Sequence, residues 1–306
     1  MKLIVKKKFG LARITEIKIG NKKRFTPIFF PSVSSVDQKY YHSIIKWVIE
    51  TKPVDFLLSA YDVKYDNITI DSHEMESCLM LDSGGYELKS IKDKKIWNHE
   101  LLKEVIRQTK PEFVLTLDTP TNLDFIKYYH ELRKILSEEV ILEYVLPEPK
   151  DSDLLSLIIE TLGNIQPDAI AIPEIYFGKS LDERLTKIRE VSEILQSMQE
   201  PILFHILGCS EPNHLVQYSE LGVDIFDGLG WYRNVIYKDE SKEINSDISV
   251  KHRYKVDFSE LDKDCQCYIC SKLEIKEYEN KVLFHNIYSY IELMEEIQNG
   301  IIYGGM

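Results

Sequence analysis

The sequence predicts an α/β fold, a (β/α)8 barrel with a zinc-binding module near its carboxyl end. Eight short runs of apolar and β-branched residues alternate with longer amphipathic segments, the pattern of repeated βα units around a parallel sheet. Polar residues follow these runs directly, where the active sites of such barrels lie. The length of 306 residues allows one large domain. A doubly wound open sheet is the alternative, because strand counts from one sequence vary by about one or two.

The predicted strands are residues 27–30, 54–59, 78–81, 113–117, 140–145, 169–172, 202–207 and 223–226. Helices are predicted where apolar residues recur at three- and four-residue spacing. These segments are 38–50, 100–109, 123–136, 154–162, 181–198 and 214–221. Eight strands with interleaved helices match the strand count of the barrel.

Composition argues against several classes of protein. A formal net charge of −12 and a pI near 5.3 speak against nucleic-acid binding by bulk electrostatics, although a local basic groove is compatible with them. No apolar run reaches the roughly 18 residues that a membrane span needs. The five cysteines lack paired spacing across loops and the first ten residues lack an apolar leader, so we expect a cytoplasmic protein without disulfides.

Acidic residues cluster at the predicted carboxyl ends of the strands. They are Asp82 in DSGGY, Asp118 in DTP, Glu174 after Pro173, and Asp227 before Gly228. One acidic residue in such a place is more often a helix cap or a turn former. Four that converge on one barrel mouth favour catalysis.

Three cysteines and one histidine form the sharpest motif of the chain. Cys265, Cys267 and Cys270 lie within six positions, and His285 follows fifteen residues later. Three thiolates and one imidazole complete a closed tetrahedral zinc site with no open position, so the predicted metal is structural. The alternative is three ordinary buried thiols and a histidine near the start of a helix.

Four motifs, in this order, resemble those of the tRNA-guanine transglycosylase superfamily. They are MLDSGGYELKS, LGVDIFDG, CQCYIC and HNIYSYIELMEEIQNGI. The opening stretch GLARITEIKIGNKKRFTPIFFPSVSS resembles the amino-terminal hairpin of these enzymes. The resemblance covers nearly the whole chain and implies a pentosyltransferase on a TIM barrel, which exchanges a guanine in a polynucleotide for a 7-deazaguanine base.

The resemblance also implies roles for the residues that match. Asp227 corresponds to the nucleophile that forms an ester with the sugar, and Asp82 to the acid/base residue at the purine. Two successive displacements of this kind retain the configuration at the sugar carbon. The positions implied for base binding are Asp118, Tyr86, Gly84, Gly85, Glu174, Leu207 and Gly208.

Departures from the family concern base recognition and the polynucleotide. The Gly-rich segment before Glu174 and the Gln-Gly pair of strand five are missing. The segment after the nucleophile is FDGLGWYRNVIY, in which Arg233 and Trp231 are candidates for nucleic-acid contact. The alternative for Trp231 is packing under the zinc module. Only fourteen residues separate Cys270 from His285, and we expect no appended RNA-binding domain.

These departures favour the DNA-modifying, DpdA-type branch, which places 7-cyano-7-deazaguanine in DNA. An archaeal-like tRNA enzyme is the second hypothesis, and a non-catalytic nucleic-acid-binding partner subunit is the third. Because the target base must leave the stack, a DNA-opening partner protein is part of the first hypothesis. The predicted domains are the barrel, 1–235 and 286–306, and a linker with the zinc module, 236–285. Oligomerisation into homo-oligomers is left open, and no membrane association is expected.

Overall fold

The protein is a closed barrel of eight parallel strands with helices around it. The structure, a computed structural model, describes residues 2–36, 41–51, 54–92, 95–117, 125–149, 153–239, 253–257, 265–272 and 278–304. The barrel strands are β4 (Ile28–Val33), β5 (Phe56–Ser59), β6 (Leu79–Asp82), β7 (Phe113–Leu115), β8 (Ile141–Val145), β9 (Ala169–Pro173), β10 (Leu203–Leu207) and β11 (Ile225–Gly228). They pair in chain order, and β11 closes the barrel on β4 from Ile225 opposite Ile28 to Gly228 opposite Pro31. The predicted barrel is confirmed, and the open sheet is excluded.

The helices lie mostly between the strands, as the three- and four-residue spacing predicts. They are α1 (Tyr41–Thr51), α2 (Ala60–Tyr65), α3 (Gly85–Ser90), α4 (His99–Thr109), α5 (Phe125–Ile135), α6 (Leu154–Asn164), α7 (Leu181–Gln196), α8 (Pro212–Glu220), α9 (Gly230–Arg233), α10 (Tyr268–Lys272) and α11 (Tyr278–Tyr303). Two 3-10 turns, Ser72–Glu74 and Glu174–Phe177, complete the helical elements of the described residues. None of the described helices is both long enough and apolar enough to cross a membrane.

The barrel has an apolar interior and a second apolar layer under its helices. Inward-facing residues from successive strands form the interior, among them Phe30, Met80, Phe113, Ile141 and Ile225. The outward-facing residues of the same strands pack against the helices. This alternation follows from the two-residue period of a strand, and it places the inward residues at strand ends in the mouth of the barrel.

Two smaller sheets flank the barrel. Strands β1 (Lys2–Phe9), β2 (Ala12–Ile19) and β3 (Lys22–Phe25) form an antiparallel sheet before β4, which adds a third strand to the expected hairpin. Strands β12 (Val235–Asp239) and β13 (Arg253–Asp257) pair antiparallel. Strand β13 lies inside the stretch 236–285 that we predicted to be a linker with the zinc module. Helix α11 packs on the barrel, where the ring of Tyr290 stacks on Phe29 of β4 with centroids 4.1 Å apart.

A buried ion pair ties the amino-terminal sheet to the barrel. Arg13 of β2 pairs with Asp224, which directly precedes β11, and its Nε donates to Asp224 Oδ1 at 3.0 Å. The same carboxylate accepts from Thr26 Oγ1 at 3.1 Å and from the backbone N–H of Phe204 at 2.9 Å. Because both charges are almost fully buried, removing either one leaves the other without a partner and lowers the stability of the fold.

We predict that Asp224→Ala lowers the free energy of unfolding by about 3–5 kcal/mol, because it leaves the Arg13 guanidinium buried without a counter-ion. Urea denaturation measures this loss. The matched control is Lys46→Ala, which removes an exposed pair with Glu50 at 4.0 Å and should cost less than about 1 kcal/mol. Equal losses in the two variants would contradict the role given to the buried pair.

Candidate functional site

The carboxylate of Asp227 lies at the carboxyl end of β11 and is contacted by groups of β4, of β10 and of the turn after β10. Its Oδ2 accepts from Ser32 Oγ of β4 at 2.8 Å, and its Oδ1 accepts from the backbone N–H of Gly208 at 2.8 Å. The Nε2 of His205 on β10 lies 3.3 Å from the same Oδ1. The residue is only 8% exposed.

A buried histidine and a buried glutamate extend this arrangement into the barrel. His205 Nδ1 lies 2.6 Å from Glu143 Oε2 of β8, and neither side chain is exposed. Burial by itself lowers the pKa of His205, but the charges of Glu143 and Asp227 outweigh it and raise that pKa from about 6.5 to about 9. This raised pKa favours the protonated imidazole at neutral pH.

Sequence analysis missed Glu143 and His205 as site residues. Each lies within a run, VILEYV or ILFHIL, that predicts an apolar strand. The available signal was a single polar residue at an inward position of an otherwise apolar strand. Only the closed barrel brings the two side chains together.

Asp82 ends strand β6, and the glycine loop that follows turns around it. The backbone N–H of Gly84 donates to Asp82 Oδ2 at 3.0 Å. Gly84 has a φ of +85°, and a Cβ there would lie 2.7 Å from Tyr61 Cβ. The indole Nε1 of Trp97 donates to the carbonyl of Ser83 at 2.8 Å. The requirement for glycine at 84 therefore comes from the protein's own backbone and from Tyr61.

Helix α3 carries the next two residues of this motif, and a buried carboxyl pair supports it. Gly85 begins the helix, and Tyr86 is 46% exposed. Glu87 accepts from Ser34 Oγ at 2.5 Å and from Ser59 Oγ at 2.7 Å. Burial, with the nearby charge of Glu87, raises the pKa of Asp62 to about 7. The loops after β4 and β5 are thereby joined to the first turn of α3.

Glu174, Leu207 and Gly208 lie at the ends of neighbouring strands β9 and β10. Gly208 has a φ of +76°, which favours glycine there, and its N–H points at Asp227. Glu174 Oε1 accepts from Arg184 at 2.8 Å and from Tyr218 at 2.9 Å. Burial raises the pKa of Glu174, but these donors and His214 outweigh it and the net pKa is lowered. Glu174 and Gly208 line a common cavity of about 290 Å³.

The remaining predicted site residues are placed differently. Asp118 lies outside the described residues. Trp231 is fully buried: its ring packs near Trp47 and its Nε1 donates to the carbonyl of Ser32 at 2.8 Å. Arg233 is exposed at the end of α9, with its guanidinium 5.9 Å from the ring centre of Tyr232. The structure thus leaves Arg233 accessible and encloses Trp231.

The three cysteines and His285 converge as predicted. Their ligand atoms lie within 4.8 Å of one another. His285 Nδ1 is 3.1 Å from Cys267 Sγ, 3.5 Å from Cys270 Sγ and 3.8 Å from Cys265 Sγ. In a tetrahedral site with zinc-sulfur bonds of about 2.3 Å and a zinc-nitrogen bond of about 2.0 Å, the sulfur-nitrogen edge is about 3.5 Å. The donor set and its spacing therefore fit a bound metal ion.

The second nitrogen of His285 is also arranged as a metal ligand requires. Its Nε2 donates to the backbone carbonyl of Ile236 at 2.6 Å, so the Nδ1 lone pair faces the sulfurs. Burial lowers the pKa of His285, which favours the neutral imidazole. The backbone N–H of Cys270 donates to Cys267 Sγ at 3.4 Å, a contact that favours a thiolate.

Comparison with known proteins matches the half of the chain that carries Asp227 and the metal cluster. A family model described as queuine tRNA-ribosyltransferase matches residues 149–306, more than half of the chain. The chain belongs to this family. Asp82, Tyr86 and Asp118 precede the matched region, so their assignment depends on the sequence resemblance alone, through DSGGY for Asp82 and Tyr86 and through DTP for Asp118.

Three queuine tRNA-ribosyltransferases illustrate the similarity. The enzyme of Methylacidiphilum infernorum is 31% identical over 157 residues, 47% of this chain and 40% of the relative. That of Helicobacter pylori strain J99 is 27% identical over 151 residues, and that of Helicobacter acinonychis is 26% identical over 151 residues. Each of these two alignments covers 44% of this chain and 38% of the relative. The chain thus spans about two fifths of the length of the relatives it matches.

The His-Asn pair of this family member joins the metal cluster to the segment after Asp227. The side-chain amide of Asn286 donates to the carbonyls of Trp231 and Asn234, and its oxygen accepts from the N–H of Ile236 at 3.1 Å. Asn286 is fully buried and bonds three backbone groups between Trp231 and Ile236. The start of β12 is thereby fixed beside α11.

We predict that the purified protein carries about one metal ion per chain and that Cys267→Ser loses it, because a closed site needs all four ligands. Elemental analysis after gel filtration measures the metal. Gln266→Ala is the matched control, since residue 266 lies between two of the cysteines and offers no thiol. Full metal content in Cys267→Ser would contradict the assignment.

Proposed function

We propose that this protein is a guanine transglycosylase, which replaces a guanine in a polynucleotide by a 7-deazaguanine base through a covalent ester with Asp227. The observation that carries the proposal is the Asp227 carboxylate at the end of β11, almost completely buried and held by Ser32 and Gly208. Membership of the family and the presence of Asp82 at the same end of the barrel support it.

The proposed reaction has two displacements at the anomeric carbon of the sugar. In the first, a carboxylate oxygen of Asp227 attacks this carbon, the bond to the purine nitrogen breaks, and Asp82 protonates the departing guanine. In the second, Asp82 takes the proton from the corresponding nitrogen of the incoming base. That nitrogen then attacks the same carbon and releases the carboxylate, so the configuration is retained.

The residues around Asp82 and Gly208 are proposed to hold the base. Tyr86, on the first turn of α3, offers an accessible ring face for stacking, and Leu207 offers an apolar surface beside Gly208. We assign to Asp118 the guanine edge, whose two N–H donors a carboxylate can accept. Glu174 lines the adjoining cavity as an ionised group, held by its own donors, and Gly84 and Gly85 shape the loop.

DNA is the polynucleotide that we propose. The altered segment after Asp227 and the short path from Cys270 to His285 depart from the tRNA enzymes in the regions outside the base pocket. Arg233 is exposed at the end of α9, five residues after the end of β11, and is the proposed phosphate contact. tRNA is the second candidate, because the similar proteins are tRNA-ribosyltransferases by name.

The metal that we propose for the cysteine cluster is zinc, in a structural role. Zn²⁺ supplies a closed tetrahedral centre to three thiolates and one imidazole, and no reaction step depends on it. We assign residues 236–285 to a module organised by this centre. The cytoplasm is the proposed location, since reduced thiols persist there.

We predict that Asp227→Asn forms no covalent adduct and exchanges no base, because an amide cannot form the glycosyl ester. Asp82→Asn should form adduct slowly, by a factor of about 10²–10⁴, since the leaving purine lacks its acid. Denaturing gels with a labelled oligonucleotide measure both rates. Asp182→Asn, at an exposed position of α7, is the control. Near wild-type exchange by Asp227→Asn would refute the assigned nucleophile.

We predict that labelled guanine or 7-cyano-7-deazaguanine enters DNA and does not enter tRNA. Single-stranded DNA should react without help, whereas duplex DNA requires the target base to leave the stack. Scintillation counting of the three purified polymers measures incorporation, with Asp227→Asn as the blank. Incorporation into tRNA alone would establish the second candidate and exclude the first.

A further inference from the structure

The interior of the barrel contains one carboxylate that the reaction scheme above does not use. Glu143 lies at an inward position of β8 and is fully buried among apolar residues such as Ile141 and Val145. Burying an ionised carboxylate without a counter-ion is costly, so the environment of this side chain needs an explanation.

The counter-ion of Glu143 comes from two strands away. In the register of the sheet, Glu143 lies opposite Ala169 of β9, and Ala171 of β9 lies opposite His205 of β10. Ala169 and Ala171 face inward on β9, the strand that lies between β8 and β10. Their small side chains leave the space in which the imidazole approaches Glu143 to 2.6 Å.

Both ring nitrogens of His205 face carboxylate oxygens. Nδ1 is 2.6 Å from Glu143 Oε2, and Nε2 is 3.3 Å from Asp227 Oδ1, an ion contact longer than a good hydrogen bond. Among the described residues, Nε2 and Glu143 Oε1 have no hydrogen-bond partner. With a single ring proton, one nitrogen lone pair would point at an anionic oxygen. A proton on each ring nitrogen, one of them shared with Glu143, removes this repulsion.

We propose that Glu143 and His205 are positioning residues, which together hold a buried positive charge against Asp227 throughout the exchange. This inference rests on the proposed role of Asp227 as the nucleophile. His205 keeps the free carboxylate ionised and directed, and Glu143 keeps the imidazole protonated.

The charges balance in each step of the proposed reaction. Before attack, the two carboxylates and the imidazolium carry a net charge of −1. When Asp227 becomes an ester it loses its charge, and the imidazolium keeps Glu143 as its counter-ion. When the incoming base displaces the ester, the carboxylate reappears beside a cation that is already in place, so no group has to reorganise. No proton enters or leaves the chain of three residues.

Removal of either residue should damage the chemistry in a different way. Without His205, Asp227 loses the contact to its Oδ1 and Glu143 loses its buried counter-ion. Without Glu143, the imidazole loses its second counter-ion and its pKa falls. Charged groups near the imidazole come from the other strands of the interior, Glu143 on β8 and Asp227 on β11, and the inward positions of β9 contribute none.

The first arm of the test needs no substrate. Imidazole nitrogen shifts of His205 are followed by NMR against pH in the full-length protein and assigned by their loss in His205→Gln. We expect His205 to be protonated at neutral pH and to titrate near pH 9, and to titrate at lower pH in Glu143→Gln and in Asp227→Asn. A neutral His205 at pH 7 in the wild-type protein would overturn the proposal.

The second arm measures the reaction. We expect kcat to fall about 10- to 100-fold in Glu143→Gln and in His205→Gln, the usual effect of losing a partner that orients a reactive group, with KM for the polynucleotide little changed. In the proposal His205 acts in its protonated form, and its pKa is raised to about 9. Wild-type activity should therefore be present below pH 9 and lost as the pH rises above 9. In Glu143→Gln this alkaline limb should move to lower pH.

The double variant Glu143→Gln/His205→Gln separates charge from folding. Each single variant leaves one buried group without its partner and lowers the melting temperature, whereas the double variant removes both and should recover stability. Its kcat should remain as low as that of the single variants. Wild-type kcat in the folded double variant would overturn the inference and leave the proposed function intact. A wild-type protein without adduct on any polymer would refute the proposed function, and the NMR arm would still decide the charge arrangement.

Discussion

One constraint governs the mouth of the barrel: the carboxylate of Asp227 is almost completely buried. A carboxylate in such a place needs donors or a cation. Strand β4 supplies a hydroxyl from Ser32, the turn after β10 supplies the N–H of Gly208, and β10 itself supplies the imidazole of His205. Because β4 and β10 flank β11 in the sheet, this arrangement exists only when the barrel is closed. Closure of β11 on β4 therefore serves both the fold and the position of the Asp227 carboxylate.

The metal cluster reaches the same carboxylate through a continuous set of hydrogen bonds. His285 and Asn286 bind the backbone of the segment after β11, and Trp231 in that segment donates to the carbonyl of Ser32. The hydroxyl of Ser32 in turn donates to Asp227. The metal cluster thus fixes Ser32, the residue that donates to Asp227. This explains why Trp231 is buried, although its position close to Arg233 in the sequence suggested contact with nucleic acid.

The sequence predicted the eight barrel strands and six helices, α1 and α4 to α8, with ends that differ from the structure by a few residues, but it did not predict the longest helix, α11. Such elements have enough residues to display their period. Helices α2, α3 and α9 have six or fewer residues and display none. The metal cluster was predictable because its ligands are rare residues at short spacing. Glu143 and His205 were not, because they are 62 positions apart and nothing local relates them.

Gly84 shows a different limit of sequence analysis. The resemblance implied only that Gly84 lies at the bound base, whereas the structure shows a left-handed backbone there, pressed against Tyr61. The conformation of the loop, and not access for a ligand, is the constraint that the structure shows there.

The motif GVDIFDG also shows why position along a strand decides the task of an aspartate. Asp224 precedes β11 at the amino end of the barrel, where it neutralises Arg13 and joins the first sheet to the strands. Asp227, three residues later, lies at the opposite end of the same short strand and points inward. A strand rises about 3.3 Å per residue, so these three steps cross about 10 Å of the barrel. One aspartate stabilises the fold because it is fully paired. The other, Asp227, is held by neighbours at the mouth of the barrel, where the proposed reaction takes place.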